Sequence, residues 1–237
     1  MLKDWTKFEK VWLLIFTAVN LFLYIKWKDS LLGLTSSLTG MLCVVLVAKG
    51  KISNYYFGII QVSTYAYIAY TYKLYGEATL NAFFYLPIQF IGLYMWNKNR
   101  TLESTRGEDV SVKRLNKKGW LLLIIVSFVA SLIYAEILRS IGGQQVRIDS
   151  VAVVLSIIAQ ILMLKRYAEQ WVLWILVNLL SIILWVITLL NNEGADNWTM
   201  TVMWTAFLIN SIYGYINWLK MSGNREQLPP LQQKTTL

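Results

Sequence analysis

Histidine is absent from this 237-residue chain, and cysteine occurs once, as Cys43. Without histidine there is no Ser-His or Cys-His nucleophile, no His-ligated metal and no imidazole proton relay. A lone cysteine inside an apolar run has no disulfide partner and supplies no Cys-based metal motif, so its expected role is that of a small buried hydrophobe. Charge is scarce too: 15% of residues are charged, against about 25% in a soluble domain. Glu136 is the one carboxylate that falls well inside an apolar run. These absences argue against a membrane enzyme, which needs a nucleophile with its base or a metal. No catalytic residue, metal ligand or cofactor is assigned.

What is present is apolar. Hydrophobic residues make up 57% of the chain and lie in long runs parted by short charged clusters, the pattern of repeated membrane spans. Alternation is missing and open sheet edges do not sit in lipid, so the expected fold is all-α and integral to the membrane. Seven core transmembrane helices are expected: Leu31–Ala48, Ile52–Tyr72, Thr79–Trp96, Gly119–Leu138, Ser150–Leu164, Trp171–Leu190 and Trp198–Trp218. At about 1.5 Å per residue, most are long enough to cross a hydrocarbon core of roughly 30 Å. Ser150–Leu164 is short and is expected to borrow turns from its flanks. An eighth segment, Val11–Ile25, has basic residues on both sides and no small-residue cleavage site after it. That leaves a span or a helix lying in the interface, and the span is preferred.

Basic residues exceed acidic ones, 22 to 13, yet they cap hydrophobic segments rather than striping a soluble fold, so no nucleic-acid partner is expected. Their natural neighbours are membrane lipids. The loop 97–118 holds seven basic residues and the loop 191–197 none, which makes the first cytoplasmic and the second external. If Val11–Ile25 spans, 17 basic residues lie inside and 5 outside, and both termini are cytoplasmic.

The spans group as three, one, three. Asp29-Ser30 opens the first triplet and Asp149-Ser150 the second, and a short basic loop follows the first span of each (Lys49 and Lys51; Lys165 and Arg166). Gln61 and Asn178 are 117 residues apart in the middle spans; Gln89 and Asn210, like Tyr94 and Tyr215, are 121 apart in the third spans. Three spans reverse sidedness and the fourth reverses it again, so the repeats are parallel. The expected organisation is an N-terminal hydrophobic helix over 1–28, a first repeat over 29–96, a basic loop and linker helix over 97–149, a second repeat over 150–220, and a mobile tail over 221–237.

Mid-span amides are costly unless they find partners or face a cavity. Trp171, Trp174, Asn178, Ser181 and Trp185 are spaced as one helical stripe, as are Asn54, Gln61 and Tyr65. Tyr85, Gln89, Gly92 and Trp96 share a face, and so do Phe207, Asn210, Gly214 and Asn217. A single amide in a span is as often helix–helix glue as ligand contact, but four at repeat-related places point to a lined cavity. Pro87, beside Gln89, is expected to kink its helix and free a carbonyl. Flat rings stack on Trp and Tyr, a cationic ring gains from the π face, and amides bond to carboxamides and sugar hydroxyls. An anionic solute would want Arg or Lys at depth, and none is there. Carriers driven by protons or sodium keep ionisable groups at mid-membrane, so facilitated diffusion is expected.

The segments Phe84–Trp96, with Pro87, Gln89 and Trp96, Glu169–Trp174 with Asn178, and Asn210–Trp218 resemble the motifs of the PnuC transporter family over residues 30 to 220. The resemblance implies a nicotinamide riboside importer of the bacterial inner membrane with a SWEET-like three-one-three fold. It also implies a homotrimer, with the substrate trapped by a cytoplasmic kinase. The candidate substrate contacts are Gln61, Tyr85, Gln89, Trp96, Trp174, Asn178, Trp185, Asn210 and Tyr213. Two alternatives stay open: another aromatic cationic vitamin such as thiamine, and a SWEET-type sugar.

Overall fold

A computed structural model describes residues 5–27, 30–71, 78, 80–101, 107–140, 146–190 and 197–226. The described residues are helical, with two isolated β-bridges and no strand. In chain order the helices are α1 (Lys7–Trp27), α2 (Leu31–Ala48), α3 (Asn54–Thr71), a π-helical turn (Asn81–Tyr85) running into α4 (Leu86–Lys98), α5 (Lys117–Ser140), α6 (Val146–Leu164), α7 (Gln170–Leu190) and α8 (Asn197–Glu226). Four of them, α1, α2, α5 and α6, are long and apolar enough to cross a membrane. Within the helices, charged residues keep to the two terminal turns. Glu136 lies near the end of α5, exposed and paired with Arg139 one turn on.

Several boundaries move for physical reasons. Helix α6 starts at Val146 and so takes the missing turn from the N-terminal side. Helix α8 runs on to Glu226, so residues 221–226 are helix rather than tail. Gly223 there has open space around it. Residues 227–237 lie outside the described residues. The third span does not start as a regular helix. The wide turn Asn81–Tyr85 runs directly into α4 just before Pro87, whose ring crowds the preceding turn and which has no N–H to give a regular helix.

The chain divides into two compact units, Met1–Ser111 and Val112–Leu228. In the first, α1 and α2 form an antiparallel hairpin. Thr6 and Glu9 make a reciprocal capping box at the start of α1, the Thr6 N–H donating to Glu9 Oε2 (2.7 Å) and the Glu9 N–H to Thr6 Oγ1 (3.2 Å). Lys49, at the end of α2, reaches the same carboxylate at 2.7 Å and lies over the Trp5 ring at 5.2 Å. Farther along, Ser37 Oγ donates to Asn20 Oδ1 at 2.6 Å. These contacts pair the beginning of α1 with the end of α2 and its middle with the middle. Helix α1 therefore runs antiparallel along α2, and it is long and apolar enough to cross a membrane. Ser37→Ala is expected to cost under about 1 kcal/mol, the usual worth of such a bond between spans, read as a small drop in the melting temperature of the purified protein.

The two units use the same turn between their second and third helices. Helix α2 ends in a Schellman motif: Gly50 takes φ 65°, its N–H donates to Val47 O (2.9 Å), and the Lys51 N–H donates to Leu46 O (2.9 Å). Helix α6 ends identically: Arg166 takes φ 65°, its N–H donates to Met163 O (2.9 Å), and the Tyr167 N–H donates to Leu162 O (2.9 Å). In the first unit Asp109 ties this turn down, its N–H donating to Gly50 O (3.0 Å) and its carboxylate accepting from the Ile52 N–H (2.9 Å). In the second, the Lys113 N–H donates to Arg166 O (2.8 Å), Lys113 O accepts from the Ala168 N–H (3.0 Å), and Arg114 Nε meets Glu169 Oε1 at 2.8 Å.

Candidate functional site

Each unit builds the same joint between its middle and last helices. In the first unit Tyr55, second residue of α3, stands edge-on to Trp96 of α4, with centroids 5.2 Å apart and planes at 89°. A Cβ on Gly92 would overlap the Tyr55 ring. In the second, Trp171, second residue of α7, stands edge-on to Trp218 of α8, at 6.1 Å and 78°, and a Cβ on Gly214 would fall 2.6 Å from Trp171. Trp96 and Trp218 are both 0% exposed. The equivalences are Tyr55 with Trp171, 116 residues apart, and Gly92 with Gly214 and Trp96 with Trp218, 122 apart. This register differs by one residue from the one the amides suggest in the sequence. Trp96 is thus a packing aromatic that closes its own unit.

One turn deeper in each joint lie the amides. Gln89 is buried against Gly58 of α3, where any Cβ would collide with its carboxamide, and Gln89 Oε1 has no hydrogen-bond partner. A buried acceptor left unmet calls for an explanation, because it forfeits the desolvation free energy of the group. On the other side, Asn178 Nδ2 donates to Ser211 Oγ of α8 at 2.9 Å, and both residues are buried. Asn210 is buried beside Ser211. Gln61 is half-buried on α3 and packs against Gly40 of α2. Tyr85 closes the π-helical turn, half-buried and edge-on to Phe84 at 5.1 Å, and Tyr213 is half-buried on α8.

The tryptophan stripe of α7 divides. Trp171 and Asn178 face α8, whereas Trp174 packs against the apolar cluster of Leu123, Leu155, Ala159, Leu173 and Val177. Residues three apart on a helix differ by about 60° in direction, enough to send the two side chains to different neighbours. Trp174 therefore packs on that cluster, one helical turn before Asn178 on α7. The side chain of Trp185 lies outside the described residues. Sequence reasoning passed over Gln170, which is 0% exposed and has no partner for either amide atom. Its counterpart Asn54, already placed on the stripe with Gln61 and Tyr65, donates to Lys51 O at 2.7 Å. Gln170 opens a helix, where polar residues are routine, so composition gave no signal. Among the described residues no group of His, Cys, Asp or Glu can hold a metal.

Residues 30–220 match the family model described as nicotinamide mononucleotide transporter. The chain is 47% identical over 218 residues to a nicotinamide riboside transporter PnuC of Neisseria mucosa, which covers 92% of this chain and 82% of the relative. It is 43% identical over 217 residues to the protein of that name from Haemophilus influenzae, covering 92% of each. The fold is similar to a crystal structure of the vitamin B3 transporter PnuC, with a TM-score of 0.79 and 46% identity over 93% of this chain and 94% of that one.

Proposed function

The chain belongs to the nicotinamide mononucleotide transporter family together with its PnuC relatives, and on that premise we propose that it carries nicotinamide riboside across the membrane by facilitated diffusion. The observation that carries the reading is Gln89, a buried carboxamide oxygen between α3 and α4 that accepts no hydrogen bond. Ribose hydroxyls and a carboxamide N–H are donors of the kind it lacks. The aromatic residues around the amides suit a cationic ring. The candidate contacts are Gln61, Tyr85, Gln89, Trp174, Trp185, Asn178, Asn210 and Tyr213, with Trp96 holding the joint behind Gln89. The family description names the mononucleotide, but a phosphate would need a cation at depth. Lys49, Lys51, Lys165 and Arg166 all stand in turns, which favours the riboside named for the relatives.

The same reading takes seven core helices in a three-one-three order. Parallel repeats follow from the parity of the spans and make alternating access the natural mechanism. A multi-pass protein of the inner membrane with a cytoplasmic C-terminus follows from the basic loops, and a trimer from the family resemblance. Without an ionisable group at mid-helix to couple an ion, net uptake depends on phosphorylation of the solute inside the cell.

The test is uptake of labelled nicotinamide riboside into liposomes holding the purified protein, with and without a sealed-in kinase and with thiamine as competitor. Equilibration alone, rising to accumulation when the kinase is present, is expected. Flux no greater than in empty liposomes, or accumulation without the kinase, would sink the proposal. Gln89→Leu separates a ligand contact from helix glue. Its oxygen stabilises nothing in the fold, so melting should hold while uptake below saturation falls about tenfold, the worth of one hydrogen bond near 1.4 kcal/mol.

A further inference from the structure

Helices α5, α6 and α7 leave a groove of about 310 Å³ between them, open on one side. It is lined by Trp120, Ile124 and Phe128 of α5, Leu155 of α6, and Val172 and Leu176 of α7, among others. Its polar side chains are Ser127, Ser131 and the Trp120 indole, and Ser127 Oγ is buried without a partner. Helices α5 and α6 are long and apolar enough to cross a bilayer, so what reaches the groove between them comes from the lipid phase. A helix with its side chains is about 10 Å across, too wide for a groove of this volume. A narrow flexible hydrocarbon chain suits it.

One end of the groove is charged. Lys117 stands one turn before Trp120, and Lys117, Trp120, Ile124, Phe128 and Ser131 follow helical spacing on one face of α5. Lys118 is next to it. Lys113 is held beside the turn that leads into α7 by its backbone bonds to Arg166 and Ala168, and Lys165 closes α6 at the same end. All four lysines are exposed, and none has a carboxylate partner among the described residues. Arg114, by contrast, is paired with Glu169. The groove thus runs from unneutralised cations, past a tryptophan of the kind that marks the headgroup level, into an apolar trough.

We propose that this groove is a binding site for one anionic phospholipid, with an acyl chain lying along Trp120–Ser131 and the phosphate held at Lys117 and Lys118. The site is independent of the substrate contacts.

Native mass spectrometry of the purified protein in detergent tests it, titrating phosphatidylglycerol against phosphatidylcholine with the same acyl chains. Phosphatidylglycerol is expected to bind at least tenfold tighter. Lys117→Gln with Lys118→Gln, both exposed and free of structural bonds, should bring it down to the phosphatidylcholine level at unchanged melting temperature. Leu176→Trp, which fills the trough, should lower retention of both lipids. Equal binding of the two lipids would overturn the proposal. So would a preference that survives the double lysine variant, or a Phe128→Cys variant that forms a disulfide with a second copy and leaves the groove closed to lipid.

Discussion

Valine at Gly214 is expected to leave little folded transporter. Its Cβ would fall 2.6 Å from the Trp171 ring. That ring cannot swing away, because it is buried and held edge-on by Trp218, itself 0% exposed. Overpacking of a closed joint costs about 1–3 kcal/mol, and valine adds two methyls beyond the Cβ. Gly92→Val meets Tyr55 in the same way in the other unit. Gly223→Ala is the control, because nothing lies within 4 Å of that position. Melting of the purified proteins in detergent decides. If Gly214→Val melts with Gly223→Ala, the joint is loose and the account of it is wrong. Pairing Gly214→Val with Trp171→Leu should recover part of the loss by returning the space.

Lys49→Met should be nearly as damaging. Glu9 is 1% exposed and its carboxylate is shared by Lys49 and the Thr6 N–H. Removing the ammonium takes the countercharge from a buried carboxylate, a situation that costs about 3–5 kcal/mol in other proteins. Adding Glu9→Gln should restore much of it, since an amide asks far less of its surroundings than an unpaired charge. A double-mutant cycle by thermal melting gives the coupling. Single and double variants of equal stability would mean that the pair is solvated and α1 is held by its apolar face alone.

Much of the fold was legible because lipid leaves few options. A helix in a bilayer must be long and apolar without interruption, so Leu31–Ala48 could be bounded to the residue from composition alone. The ends that moved lie where polar residues continue a helix at no cost, as at Val146 and Glu226, or where Pro87 forces a wide turn before it. The site was legible in a narrower sense. Helical spacing says which residues share a face, but not which neighbour that face meets. Gln89 and Asn178 were found because an amide in a span is rare. Trp174 shares the helical spacing of Asn178, yet its ring packs on an apolar cluster while Asn178 bonds to Ser211. Gln170 was invisible, since at a helix start an amide is ordinary until its burial is known.

The turn that Gly50 and Arg166 share is held at unequal cost. Both residues hold φ 65°, 116 positions apart, with the same pair of backbone bonds around them. For glycine that conformation is free, whereas for arginine it is uncommon and unfavourable. The second unit therefore carries strain in its bend that the first does not. The backbone bonds of Lys113 to Arg166 and Ala168 hold the chain there against it.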